Sequence, residues 1–153
     1  MCIRDSIGAG TGSVTLEWLR CHELNQAIAF ERDAQRAVHI KSTAEQLGVA
    51  THLTIITGDA LEHIATCTPP DAIFIGGGIE NMPLATHLWK PLRKHGRLVA
   101  HAVTLESQNQ LLHWYQQYGG TLREINVRTI STLGQHHALT ATRPIWQWAV
   151  RKQ

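Results

Sequence analysis

The sequence predicts an α/β fold: a doubly wound, mostly parallel sheet closed at one edge by an antiparallel strand pair. Three observations predict it. Short apolar runs alternate with stretches of helical period as far as Tyr118. Glycines follow the apolar runs rather than interrupting them. Beyond Gly119-Gly120 the helical rhythm stops, and two alternating runs appear with no helix pattern between them.

Residues 3–7 form the first strand. Glycines at 8, 10 and 12 follow, and Val14, Trp18 and Leu19 then share a helical face. Residues 26–30 read as a second, buried strand. Asp33 is placed to N-cap a helix running to Leu47, with Ala37, Ile40, Ala44 and Leu47 on one side and Gly48 as its stop. Residues 53–56 are a third strand, followed by Gly58-Asp59 and a short helix through His63. Pro69-Pro70 precedes the unbroken apolar run 72–75, suited to a central parallel strand, and Gly76-Gly77-Gly78 comes next. Residues 82–92 read as a helix with Pro83 in its first turn. Gly96 ends that unit, and 97–103 is the fifth strand. Residues 106–118 carry Leu111, Tyr115 and Tyr118 at helical spacing, up to the Gly119-Gly120 terminator. Residues 122–127 and 145–150 are expected to pair antiparallel, joined by the polar stretch 129–143.

At 153 residues, one domain spanning 1–153 is the expectation, and an apolar share of 43% excludes a disordered chain. Fourteen Lys and Arg against twelve Asp and Glu leave a charge of +2, which gives no ground for a nucleic-acid partner. No apolar run approaches the roughly 18 residues that span a bilayer, and the first residues have no signal pattern. Cys2, Cys21 and Cys67 are odd in number and lack metal-ligand spacing, so no disulfide framework and no metal site are expected. These features point to a cytoplasmic protein with free thiols.

Ligands of such sheets lie beyond the carboxyl ends of the strands. Gly8-Ala9-Gly10-Thr11-Gly12 falls there, where glycines permit a tight turn and close approach of a cofactor to the backbone. Glu31, just after the second strand with Arg32 beside it, can accept hydrogen bonds from both hydroxyls of a ribose. Gly58-Asp59-Ala60 and Gly76 complete the same edge; Asp59 suits an adenine amino group or the N-cap of its own helix. The bland alternatives are a tight turn that binds nothing and a solvated charge at a helix entry. A glycine loop followed by an acid serves NAD as well as S-adenosylmethionine, and the antiparallel final pair favours the latter.

The segment Ile7-Gly-Ala-Gly-Thr-Gly-Ser-Val-Thr-Leu-Glu17 resembles motif I of the Rossmann-like class I methyltransferases. Taken with Pro70-Asp-Ala-Ile-Phe-Ile-Gly-Gly-Gly78 and Gly96-Arg-Leu-Val-Ala-His-Ala-Val-Thr-Leu-Glu106, the chain resembles the decarboxylating precorrin methyltransferases of the cobalamin pathway. More closely, it is similar to the C-terminal domain of the precorrin-6Y C5,15-methyltransferases, from about Ile7 through Trp146-Gln147-Trp148. The resemblance implies methylation of a tetrapyrrole precorrin at C15, with decarboxylation of the ring C acetate. It implies S-adenosylmethionine at Gly8, Gly10, Gly12, Glu31, Asp59 and the Gly76 region. Substrate would lie over Gly76, Gly77 and Gly78 and over Thr104 to Glu106. It also implies a homo-oligomer, a tetramer in this family, with a second methyltransferase domain fused or paired, and neither a nucleic acid nor a membrane as partner. Ser6 stands where the family has an acid before the loop, His101 where an amide is common, and there is no room for the family's helix before the first strand. Residues 1–6 fit the pattern poorly, so a fragment or an altered start is expected.

Methyl transfer needs an electron-rich carbon held in line with the methyl group, so positioning supplies much of the rate. No Asn-Pro-Pro-aromatic run and no Pro-Cys motif is present, which fits carbon methylation of a small molecule. Decarboxylation needs an electron sink, which a positioned acid can create; Glu106 and His101 are the candidates. Their structural alternatives are a helix cap and a satisfied buried histidine. Arg128, His136, His137 and Arg143 are placed to receive substrate carboxylates, with the arginines forked, or are ordinary loop charges. Trp89, Trp114, Trp146 and Trp148 read as core or interface anchors. Three other readings stay open: a class I methyltransferase for RNA or another small molecule, a truncated non-catalytic domain, and, last, an NAD oxidoreductase.

Overall fold

The glycine-punctuated rhythm folds as five parallel strands with the chain crossing over between them. The computed structural model describes residues 2–80, 82, 83 and 85–153. Strands β1 (Cys2–Ile7), β2 (Asn25–Glu31), β3 (Leu53–Thr57), β4 (Ala72–Ile75) and β5 (Arg97–Ala102) run parallel. Two antiparallel strands, β6 (Thr121–Ile125) and β9 (Ile145–Arg151), complete a seven-stranded sheet in the order β3-β2-β1-β4-β5-β9-β6. From β1 the chain builds outward to β3, then returns to the other side of β1 for β4. That reversal opens a crevice at the carboxyl end of β1.

The helices are α1 (Ser13–Arg20), α2 (Ala34–Gln46), α3 (Ala60–His63) and α4 (Leu105–Tyr118). Asp33 caps α2 as expected, accepting the Gln35 and Arg36 N–H groups. The inward faces differ from expectation in detail. In α1, Thr15, Leu16 and Leu19 are buried and Trp18 only half-buried. Leu47 lies on the C-cap of α2 and is 41% exposed. In α4, Ser107, Leu111 and Trp114 point inward, while Tyr115, one step around the helix, is exposed. Between β4 and β5 Met82, Leu88 and Leu92 are buried as a helical period requires, but the described backbone makes only a wide π-type turn over Ala85–Trp89. The period reported burial, and burial did not need a full helix.

The stretch from 129 to 143 is not an irregular loop. It folds as a separate two-stranded ribbon, β7 (Arg128–Leu133) and β8 (His136–Ala141), with Ile130 opposite Leu139. Both side chains are largely exposed, at 72% and 63%. A ribbon wet on both faces has no buried side, and so carries no one-sided alternation to read.

In β1 successive residues face opposite sides of the sheet, so Asp5 and Ser6 diverge. Both are buried, and neither side chain has a hydrogen-bond partner among the described residues. Burial raises the Asp5 carboxyl from 3.8 to about 7. The folded chain therefore keeps it protonated where the unfolded chain would ionise it. Asp5's contribution to stability is complete below about pH 4 and is lost as the pH climbs toward 7, an effect of about 4 kcal/mol. Asp5→Val is expected to raise the urea midpoint at pH 8 and to flatten its fall between pH 4 and 7. Equal midpoints for parent and variant at pH 8 would contradict this.

Candidate active site

Each of the first four strands ends at one crevice. Ile7, Gly8 and Gly10 come from the end of β1; Phe30, Glu31, Arg32 and Arg36 from β2 and the start of α2. Gly58, Asp59 and Ala60 follow β3, and Gly76, Gly77, Gly78 and Met82 follow β4. The cavity they enclose measures about 330 Å3, within the range of small-molecule sites.

Backbone contact between loops sets its shape. Gly8 and Gly10 both have left-handed φ, +62° and +60°. The Gly76 N–H donates to Ile7 O at 2.9 Å, and a Cβ on Gly76 would lie 2.7 Å from Gly8 O. The loops after β1 and β4 can therefore meet only as glycine. Ala9 N–H donates to Phe30 O at 3.1 Å, stitching the loop onto β2.

Glu31 is 5% exposed. Its Oε2 accepts the Gly10 N–H at 2.7 Å and its Oε1 the Asp33 N–H at 3.0 Å. Each oxygen keeps lone pairs for a further donor. Asp59 caps α3 by accepting the Leu61 N–H at 2.9 Å, and its other oxygen meets Arg32 at 2.6 Å. The Leu61 N–H, aided by the guanidinium, holds the Asp59 carboxyl below the ordinary carboxylate value.

Nine of the expected residues line this cavity: Gly8, Gly10, Glu31, Arg32, Asp59, Ala60, Gly76, Gly77 and Gly78. Others do not. Ala9 is tied to β2, and Thr11 turns outward with its hydroxyl against Ser13. Gly12 is the buried N-cap of α1, where a Cβ would press on Ile40 at 3.0 Å. His101 faces Phe74, ring centroids 5.0 Å apart, and its Nε2 lies 2.7 Å from Gln147 Nε2. Burial lowers its pKa. Glu106 is exposed in the first turn of α4, whose cap is Thr104. Arg128 and Arg143 are exposed at the base of the ribbon. Because Ala102 pairs with Trp146, that base springs from the carboxyl edge of the sheet, next to β5.

Gly58, which the sequence reading sets at this edge with Asp59 and Ala60, is a tenth; the reading missed Phe30, Arg36 and Met82. Arg36 had a signal, since the first turn of a helix following Glu31 must lie at the same edge. Glu80 was also missed: its carboxylate reaches Ser107 and Thr104 at the start of α4. No apolar period or glycine marks that position.

The chain matches the precorrin methyltransferase domain model over residues 4–152. It belongs to the precorrin methyltransferase domain family. It is 35% identical over 146 residues to the decarboxylating precorrin-6Y C(5,15)-methyltransferase of Sinorhizobium sp., covering 95% of this chain and 35% of that protein. The enzyme of the same name from Mycobacterium tuberculosis is 35% identical over 147 residues, covering 96% and 37%. This precorrin methyltransferase domain thus spans about a third of the length of these two relatives. The crystal structure of the C-terminal domain of precorrin-6Y C5,15-methyltransferase from Rhodobacter capsulatus superposes with a TM-score of 0.90 at 34% identity, over 99% of this chain and 80% of that one. The architecture is that of the class I methyltransferases.

Proposed function

We propose that this domain methylates C15 of a precorrin with S-adenosylmethionine, with decarboxylation of the ring C acetate, beside a second methyltransferase domain that serves C5. The observation that carries the reading is Glu31, a buried carboxylate bonded to the glycine loop and bordering a cavity of cofactor size. The names of the long relatives, which specify C5, C15 and decarboxylation, supply the substrate.

The donor set fits the cofactor. The remaining lone pairs of Glu31 suit two ribose hydroxyls, and the side-chain-free Gly8, Gly10 and Gly76 let a ligand lie on the backbone. When bound, S-adenosylmethionine supplies an electrophilic methyl group. Gly77 and Gly78 leave room for a flat acceptor over the end of β4. Arg128 and Arg143 are placed to grip its carboxylates. Decarboxylation breaks the bond to the carboxylate and needs a proton on the carbon left behind. Glu106 is exposed at this edge, whereas His101 turns away toward Phe74, so the proton is assigned to Glu106.

A homo-oligomer is part of the proposal, supported by the exposed Ile130–Leu139 pair; light scattering reads the mass directly. No described helix is long and apolar enough to cross a membrane.

The test is calorimetric titration of the chain with S-adenosylhomocysteine, with NAD as control. Micromolar binding of the first and no heat from the second is the expected result. One observation favours a second reading, a non-catalytic domain: the acid of β1 lies one residue early, at Asp5, and period two turns it to the other face of the sheet from Ser6. A folded chain that binds neither ligand would establish that reading.

A further inference from the structure

Glu80 lies in the loop after β4, between two residues that line the cavity, and carries a charge that methyl transfer can use. It follows Ile79, which is fully buried, and stands two residues from Gly78 and Met82, both cavity residues. Its Oε1 accepts the Ser107 hydroxyl and lies 3.5 Å from Thr104 Oγ1. Thr104 Oγ1 is 2.9 Å from Ser107 Oγ and accepts the Ser107 N–H at 3.2 Å. Each hydroxyl has one hydrogen, so the order is fixed: Thr104 donates to Ser107, and Ser107 to Glu80. The Ser107 bond holds the Glu80 carboxyl below its ordinary value. Glu80's own backbone N–H also favours the ionised carboxylate, and the residue is exposed. The bond ties the loop after β4 to the N-terminus of α4, which follows β5. The carboxylate therefore stands over the gap between the ends of β4 and β5, next to the Gly76–Gly78 floor.

We propose that Glu80 is the fixed negative charge of the acceptor side, stabilising the cation that carbon methylation leaves on the substrate. The inference rests on the methyl-transfer reading above. When a neutral enamine carbon is methylated, a C–CH3 bond forms and the S–CH3 bond breaks with its electron pair kept by sulfur. The enamine nitrogen becomes an iminium, and no proton moves. Positive charge thus leaves the sulfonium and appears on the acceptor, which a carboxylate already held in place favours without reorganisation. Decarboxylation discharges it: the C–CO2 bond breaks and its pair becomes the C=C bond that neutralises the iminium; when that carbon then takes up a proton, the ring nitrogen gives one up, so the charge does not return.

Two variants separate the charge from the anchor. Glu80→Gln keeps an acceptor oxygen for Ser107 and removes the charge. Ser107→Ala keeps the charge and removes the bond. Both are assayed by transfer of labelled methyl to the precorrin across about pH 3.5–8, with S-adenosylhomocysteine titration in parallel. E80Q is expected to bind S-adenosylhomocysteine within about twofold of the parent while kcat falls roughly 10- to 100-fold. S107A is expected to lose less and to move the acid limb of kcat to higher pH, because the carboxyl loses the bond that lowers its pKa most. An E80Q chain that transfers methyl within threefold of the parent overturns the assignment. A parent chain that binds S-adenosylhomocysteine but methylates no precorrin overturns the substrate reading instead, and Glu80's role falls with it.

Discussion

Glu31→Gln is expected to weaken S-adenosylhomocysteine binding roughly 10- to 100-fold, the worth of losing hydrogen bonds to a charged group. Two effects add. Both Glu31 oxygens already take backbone N–H groups, from Gly10 and Asp33. An amide must turn its NH2 toward one of them, setting donor against donor in a buried place. The same change removes the acceptor charge offered to the ribose. Calorimetry gives the affinity, and a circular-dichroism melt shows whether the fold is kept. A folded Gln variant that binds within threefold of the parent would remove Glu31 from the ribose subsite.

Trp148→Ala is expected to cost about 3–5 kcal/mol of stability, a large share of the roughly 5–15 kcal/mol that holds such domains. Trp148 is wholly buried, 5.7 Å from the Trp114 ring and 6.3 Å from Tyr118. Its Nε1–H donates to Gly119 O at 2.8 Å, so truncation also strands a carbonyl. Trp148→Phe keeps most of the volume and loses only that bond, for about 1–3 kcal/mol. Urea midpoints at an unchanged slope give both values; an Ala variant within 1 kcal/mol of the parent would mean that α4 does not depend on β9 for its packing.

What the sequence made legible follows from where each signal is stored. The glycine loop, Glu31 and the Gly76 run sit at strand ends, and strand ends are marked by composition. The parallel strands were visible because a sheet buried on both faces reads as unbroken apolar runs, as in Ala72–Ile75. The ribbon was not, since Ile130 and Leu139 face solvent and leave no pattern. Glu80 was hidden for a different reason: its partners Thr104 and Ser107 lie beyond another strand, and only the crossover brings them together. His101 is the reverse case, where the sequence leaves both chemistry and a satisfied buried histidine open. Its place in the sequence suggested chemistry, and strand alternation sent it to Phe74.

Lys152 gives the site a timetable. Its ammonium, at the end of β9, donates to the carbonyls of Trp89 and Leu92 at 2.7 Å and of Lys90 at 3.0 Å, closing the turn that carries the loop away from Gly76–Gly78. Sixty residues separate it from Leu92. At the usual 5–20 residues per second of synthesis, roughly 3–12 s pass before that clamp can form. During this interval the glycine loops of a nascent chain are already present, while the turn from Trp89 to Leu92 lacks this clamp and rests on the bonds of Arg93 to Pro70 and Asp71. A chain still on the ribosome can therefore order the crevice at the ends of the first four strands before this last clamp is in place.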